Sequence, residues 1–157
     1  MHANEKVINE LNRALSAELT AIVQYRMQAE MGDNWGYGKL GEATKKRAIQ
    51  EMGHAEALIE RVLFLDGTPG VELKLKPTIG ATVKAQLELD LHDEVDAIKQ
   101  YYAAAAICWQ EGDKGSRELF EKMIKDEEMH TDYLETQLRV MSEIGLQNYL
   151  SDQMKSG

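Results

Sequence analysis

Two short polar stretches, recurring at a fixed interval, constrain this chain more than any other feature. Glu51 and His54 stand three residues apart, and so do Glu127 and His130. On an α-helix, residues at that spacing lie about 60° and about 4.5 Å from each other, so carboxylate and imidazole aim at one point. One such pair is common on solvated helix faces. Here the two pairs share a 76-residue interval that also carries Glu18 to Glu94 within a longer match, ELTAIVQY at 18–25 against EVDAIKQY at 94–101. The same interval pairs Leu11 with Leu87, Leu15 with Leu91, Leu58 with Leu134 and Val62 with Leu138. Polar candidates and their apolar neighbours keep one register, so the chain reads as a helix pair followed by a related helix pair.

Helices over the rest follow from composition and punctuation. The 157 residues include only two Pro and 6% aromatics, with long stretches rich in Ala, Leu, Glu, Lys and Gln. That predicts one all-α domain over 1–157. The first helix is expected over about 4–34, capped by Asn4. Its apolar stripe runs through Val7, Leu11, Leu15, Ile22 and Tyr25, and Glu18 falls inside it, where a lone carboxylate is costly. The second, over about 40–66, stops at Gly67 and carries Glu51 and His54 in its stripe beside Leu58 and Val62. A further apolar stripe through Ile49, Met52, Ile59 and Leu63 lies about 100° around the same helix and calls for a second subunit. The third and fourth helices, over about 82–111 and about 116–144, carry Glu94 and then Glu127 with His130. Gly145 ends the fourth, and about 146–154 reads as a short fifth helix that must dock on something. Between Gly67 and Ala81, with Gly70, Pro77 and Gly80, lie about fifteen residues, enough to travel the length of a bundle. The second and third helices are then parallel. The fold class is an all-α four-helix bundle with one long crossover and a short C-terminal helix.

The net charge of −9 argues against nucleic acid and anionic membrane as partners. A single cysteine, Cys108, rules out an internal disulfide and a Cys-based zinc or iron–sulfur cluster. No apolar run approaches about 18 residues and the N-terminus shows no signal pattern, so a soluble cytoplasmic protein is expected.

Glu18, Glu51, His54, Glu94, Glu127 and His130 are the polar residues caught in the four stripes. Their four carboxylates match the charge of two divalent cations, and six ligands over two ions leave coordination positions open for catalysis. Oxygen-rich ligation with one imidazole per ion suits iron or manganese better than structural zinc. The competing explanation is a polar core layer of Glu and His satisfying one another, which needs several carboxylate pKa values pushed far upward. Tyr25 and Tyr101 each lie two turns from a Glu of the set; each can support a ligand by a hydrogen bond or simply fill the core. His2 and His92 receive no role, since His92 faces roughly away from Glu94.

Two helices giving one Glu each and two giving Glu-x-x-His is the pattern of ferritin-like di-iron carboxylate proteins. With KVINELN at 6–12, IERVLFL at 59–65 and GLQNYL at 145–150, the chain resembles the bacterioferritin family over essentially its whole length. The resemblance implies a ferroxidase: Fe(II) oxidised by O2 or H2O2, and ferric mineral stored in a homo-oligomeric 24-mer shell. It implies Glu18 and His54 as terminal ligands of one iron, Glu94 and His130 of the other, and Glu51 and Glu127 as bridges. It implies haem b at a two-fold interface, with Met52 of each subunit as axial ligand; read without the resemblance, Met52 is interface packing. A small ferredoxin is the implied reductant for iron release. One region departs from the pattern: many members have His, Glu and Asp where this chain has Lys46, Arg47 and Gln50. The route of iron from the centre to the cavity is therefore open. Three other readings stay in play: a haem-free ferritin, a haem-carrying electron-transfer or peroxide-protection protein, and a non-catalytic helical assembly. A rubrerythrin is excluded by the lone cysteine.

Overall fold

A computed structural model describes residues 4–70, 72 and 78–154; His2 and Pro77 lie outside the described residues. Among the described residues five helices follow in order: α1 (Glu5–Asn34), α2 (Gly38–Phe64), α3 (Val83–Gln110), α4 (Lys114–Ile144) and α5 (Leu146–Asp152). The architecture is the all-α four-helix bundle with a short fifth helix.

The helix ends are set by local chemistry. Asn4 caps α1 by accepting from the Val7 amide, and Thr82 caps α3 by accepting from that of Ala85. α1 ends with Gly36 at φ 91°, where the Tyr37 amide reaches back to the Gly32 carbonyl and the Gly36 amide to that of Asp33. α3 ends the same way on Gly112, and both closures satisfy carbonyls the helix leaves over. Two starts fall earlier than the sequence signals suggested. α2 begins at Gly38 rather than near 40, and α4 at Lys114 rather than near 116. In α4 the true cap is Asp113, whose carboxylate accepts from the amide and hydroxyl of Ser116. At the end of α2 the left-handed residue is Asp66, φ 60°, and Gly67 is the residue after it, its amide bonded to the Val62 carbonyl. The helix thus ends at Phe64, three residues ahead of the glycine that signalled the stop.

α1 packs mainly on α2 and α3 mainly on α4, and the two hairpins meet through α1–α3 and α2–α4 contacts. Tyr25 lies opposite Glu94 and Tyr101 opposite Glu18, so α1 and α3 are antiparallel. His54 opposite Asp126 and Arg61 opposite Ser116 make α2 and α4 antiparallel as well. α2 and α3 therefore run the same way, and the chain between them must return along the bundle. Its described residues do so against α1: Asn12 holds the Thr68 carbonyl and the Gly70 amide, Ser16 the Glu72 amide, and Gln28 the Ile79 carbonyl.

The interior has two apolar parts. One, with Leu11, Leu58, Val62, Tyr101, Phe120 and Met123, fills the end near the start of α1. The other, with Leu40, Leu87, Leu134, Met141 and Tyr149, fills the opposite end. α5 seals that second end, since buried Tyr149 donates to Gln137 and the Gln153 carbonyl accepts from the Lys39 amide.

Candidate metal centre

Between the two apolar parts the inward stripes turn polar. Glu18 comes from α1, Glu51 and His54 from α2, Glu94 from α3, and Glu127 and His130 from α4, and none is more than 8% exposed. They form two overlapping groups, Glu18–Glu51–His54–Glu127 and Glu51–Glu94–Glu127–His130. Within each, one donor atom per residue lies within 4.8 Å of the others. Glu51 and Glu127 belong to both groups. The 76-residue interval maps one group onto the other, so the centre has an approximate internal two-fold axis.

Each imidazole is oriented from outside. Nε2 of His54 lies 2.8 Å from Oδ2 of Asp126, and Nε2 of His130 lies 2.7 Å from Oε1 of Gln50. Both partner atoms accept, so each Nε2 carries hydrogen and each Nδ1 is the inward atom. Nδ1 of His54 stands 3.2 Å from Glu127 and 3.5 Å from both Glu18 and Glu51. Nδ1 of His130 stands 3.1 Å from Glu51, 3.4 Å from Glu127 and 3.7 Å from Glu94. Both inward nitrogens, with one oxygen each of Glu18, Glu51 and Glu127, are buried without a directed hydrogen bond. Orphaned donor atoms of this kind, four carboxylates and two imidazoles around one point, fit a pair of hard divalent cations.

The tyrosines cross between the halves. Tyr101 on α3 donates to Oε1 of Glu18 at 2.7 Å, and Tyr25 on α1 donates to Oε1 of Glu94. Neither serves the Glu on its own helix, which lies about 10 Å away along the axis. Burial raises both phenols, so they stay protonated donors.

Electrostatics at the centre follows from burial against contact. Burial alone would lower His54, but contacts with Glu127, Glu51 and Asp126 outweigh it and raise the imidazole to about 10. His130 is pulled down by burial and raised further by Glu127 and Glu51, ending at about 9. Burial pushes Glu51 up beyond what the two imidazoles hold down. Glu127 goes the other way, its burial overcome by its contacts with His130, His54 and Glu51. Without metal, protons on the imidazoles are thus the cations that hold the carboxylates together.

Residues 8–144 match the ferritin-like domain family. Bacterioferritin of Mycolicibacterium paratuberculosis is 40% identical over 149 residues, covering 95% of this chain and 94% of that protein. Bacterioferritin of Rhodobacter capsulatus is 43% identical over 150 residues, 95% of this chain and 92% of that one. That of Brucella melitensis is 40% identical over 149 residues, with 95% and 92% covered. The chain belongs to the bacterioferritin family.

Next to the centre lies a buried cation that sequence reasoning noticed only as a departure. Arg47 is 5% exposed and donates from Nη2 to Oδ2 of Asp90 at 3.3 Å. Its guanidinium stacks 4.6 Å from the centroid of the Tyr25 ring and 5.6 Å from that of Tyr133. Gln24 completes the layer, its amide donating to Asp90 and Asp93. Burial raises Asp90 despite Arg47. Lys46, by contrast, is exposed and pairs with Glu42 at 3.8 Å. A cavity of about 230 Å³ is lined by Glu18, Glu51 and Glu127 of the centre and by Asp93 and Asp96 of α3. Small side chains, Ala17, Ala21 and Ala97, leave that space.

Met52 stands on another face of α2, 41% exposed, with Ile49 and Leu63 exposed on the same helix. Met52 is thus an exposed thioether among other exposed apolar side chains of that helix. His92 is exposed, with Nδ1 3.5 Å from Asp93 and 3.6 Å from Asp96, outside the six. Asp126 and Gln50 are the residues sequence reasoning missed as imidazole partners; the 76-residue interval, which pairs them, was the available signal.

Proposed function

We propose that this protein is an iron store with ferroxidase activity at the six-residue centre. Family membership supports iron storage. The observation that carries the oxidation is the shared pair, Glu51 and Glu127, between two groups that each end in an inward imidazole nitrogen. Fe(II) is the substrate. Glu18 and His54 are terminal ligands of one ion, Glu94 and His130 of the other, and Glu51 and Glu127 bridge. Each Fe(II) gives up one electron; two electrons and two protons take O2 to H2O2, or H2O2 to two waters. Tyr101 and Tyr25 fix the terminal carboxylates from opposite halves, and the imidazolium protons leave as cations enter. The cavity admits ions and small oxidants, with Asp93 and Asp96 in its lining attracting the cations.

Met52, with its counterpart in a second copy, would be the axial ligand of haem b, and the haem would supply an electron path for iron release. A 24-mer shell, two-fold dimers sharing haem, a small ferredoxin and a cytoplasmic location complete the reading. The test is anaerobic Fe(II) addition to the purified protein followed by air. The wild type shows a fast rise in ferric absorbance at about two Fe(II) per chain, lost in Glu18→Ala and His130→Ala. A rise that survives both substitutions unchanged contradicts the assignment.

A further inference from the structure

Among the direct partners of the two imidazoles, the internal two-fold relation is broken at one pair. The 76-residue interval maps Gln50 onto Asp126, and these are the outward partners of His130 and His54. One imidazole hydrogen-bonds a carboxylate and the other a neutral amide. The remaining pairs match: Glu18 with Glu94, His54 with His130, Tyr25 with Tyr101, and the shared Glu51 with Glu127. The Arg47 guanidinium, which the interval pairs with Met123, lies on the Tyr25 side and contacts Asp90 at 3.3 Å.

Resting on the di-metal reading above, we propose that the two metal positions are unequal, that the Glu18–His54 position fills first, and that Asp126 is the positioning residue that sets this order. A carboxylate on Nε2–H has two effects on the opposite nitrogen. It locks the tautomer, because a carboxylate offers only acceptors, and it makes Nδ1 a stronger donor by placing an acidic group behind the ring. The Gln50 amide does neither fully, since its flip offers a donor in place of the acceptor. Losing such a partner changes metal affinity by about 10- to 100-fold. Asp126 has 38% of its side chain exposed, and water screens it, so the effect sits near tenfold, the low end. Filling is then stepwise, and the Glu94–His130 position completes the pair that reduces the acceptor.

Co(II) without oxidant reports this in two ways. Its visible bands give the two binding constants in solution, and anomalous diffraction from crystals soaked at one equivalent gives the occupancy of each position. The expected result is density mainly between Glu18 and His54. Asp126→Asn, the same shape without the charge, weakens the first step about tenfold and evens the occupancies. Gln50→Glu strengthens the second step and evens them from the other side, and the double substitution reverses the order. A purely structural role for Asp126 does not predict that reversal. Equal occupancy in the wild type, preference for the His130 position, or constants unmoved in Asp126→Asn overturn the proposal and leave the di-metal centre standing. No Co(II) at either position overturns both.

Discussion

His54 and His130 each hold a proton in the metal-free protein because buried carboxylates face them, and that fixes how the centre must respond to metal. With their values raised to about 10 and about 9, both imidazoles are charged at neutral pH. A cation can reach Nδ1 only by displacing that proton. Zn(II) loading at pH 7.5 in dilute buffer is therefore expected to release protons, and affinity should fall as pH falls. Calorimetry in buffers of different ionisation enthalpy measures this, and loading without proton release contradicts it. Tyr101→Phe keeps the contact with Phe120 and removes the hydrogen bond to buried Glu18. It should cost about 1–3 kcal/mol in the metal-free protein by chemical denaturation, and less when metal occupies the centre. At this scale the six inward residues were legible because charge within an apolar stripe is conspicuous, and doubly so in register. Asp126 and Gln50 were not, since each lies one residue ahead of an inward Glu, on a face that reads as ordinary surface. The crossed tyrosine bonds were hidden too; they exist only once α1 and α3 lie antiparallel.

Among the helices, the start of α4 carries a junction that ties it to α2. The Asp113 carboxylate accepts from the Ser116 amide at 2.9 Å, from its hydroxyl at 2.7 Å and from Nη2 of Arg61 at 2.7 Å. Arg61 also donates to the Ser116 hydroxyl, and its guanidinium lies so close over Gly115 that a Cβ there would stand 2.6 Å from Nη2. Asp113→Ala should destabilise the protein by about 2 kcal/mol by thermal or urea unfolding, since it removes a cap and one partner of a part-buried ion pair. The contacts hold Asp113 below the usual carboxylate range against its burial. Its contribution is therefore present above about pH 4 and lost as pH falls through the lowered value. Sequence reasoning started this helix near Ser116 because Gly115 read as a break. Asp113, three residues ahead of that serine, was the better cap signal. The crossover, in contrast, was legible from length: about fifteen residues are more than a turn needs and match a bundle's span.

For the molecule as a whole, the same protons predict an opposite pH response with and without metal. Groups raised on folding, as His54 and His130 are, stabilise the metal-free fold fully below their unfolded value of about 6.5. That stability is lost as pH rises towards 9 and 10. Tm of the metal-free protein should fall across this window while that of the metal-loaded protein does not, and differential scanning calorimetry at several pH values checks it. The exposed stripe with Ile49, Met52 and Leu63 belongs to the same scale, since one copy cannot cover it. Protein expressed with ample haem should show a Soret band at about one haem per two chains, absent in Met52→Ala; no band in the wild type leaves a haem-free ferritin. The bundle itself was legible because a 76-residue repeat of two helices admits few other arrangements. The buried Arg47 was not, because the interval pairs it with Met123 and nothing local announces that Asp90 and two aromatic rings receive it. Anomalous diffraction from crystals soaked anaerobically in Fe(II) tests the central claim most directly. Two iron peaks per chain, flanked by Glu51 and Glu127 and capped by His54 and His130, are the expected result. Iron-loaded crystals without those peaks, the six side chains bonded only to one another, would contradict it.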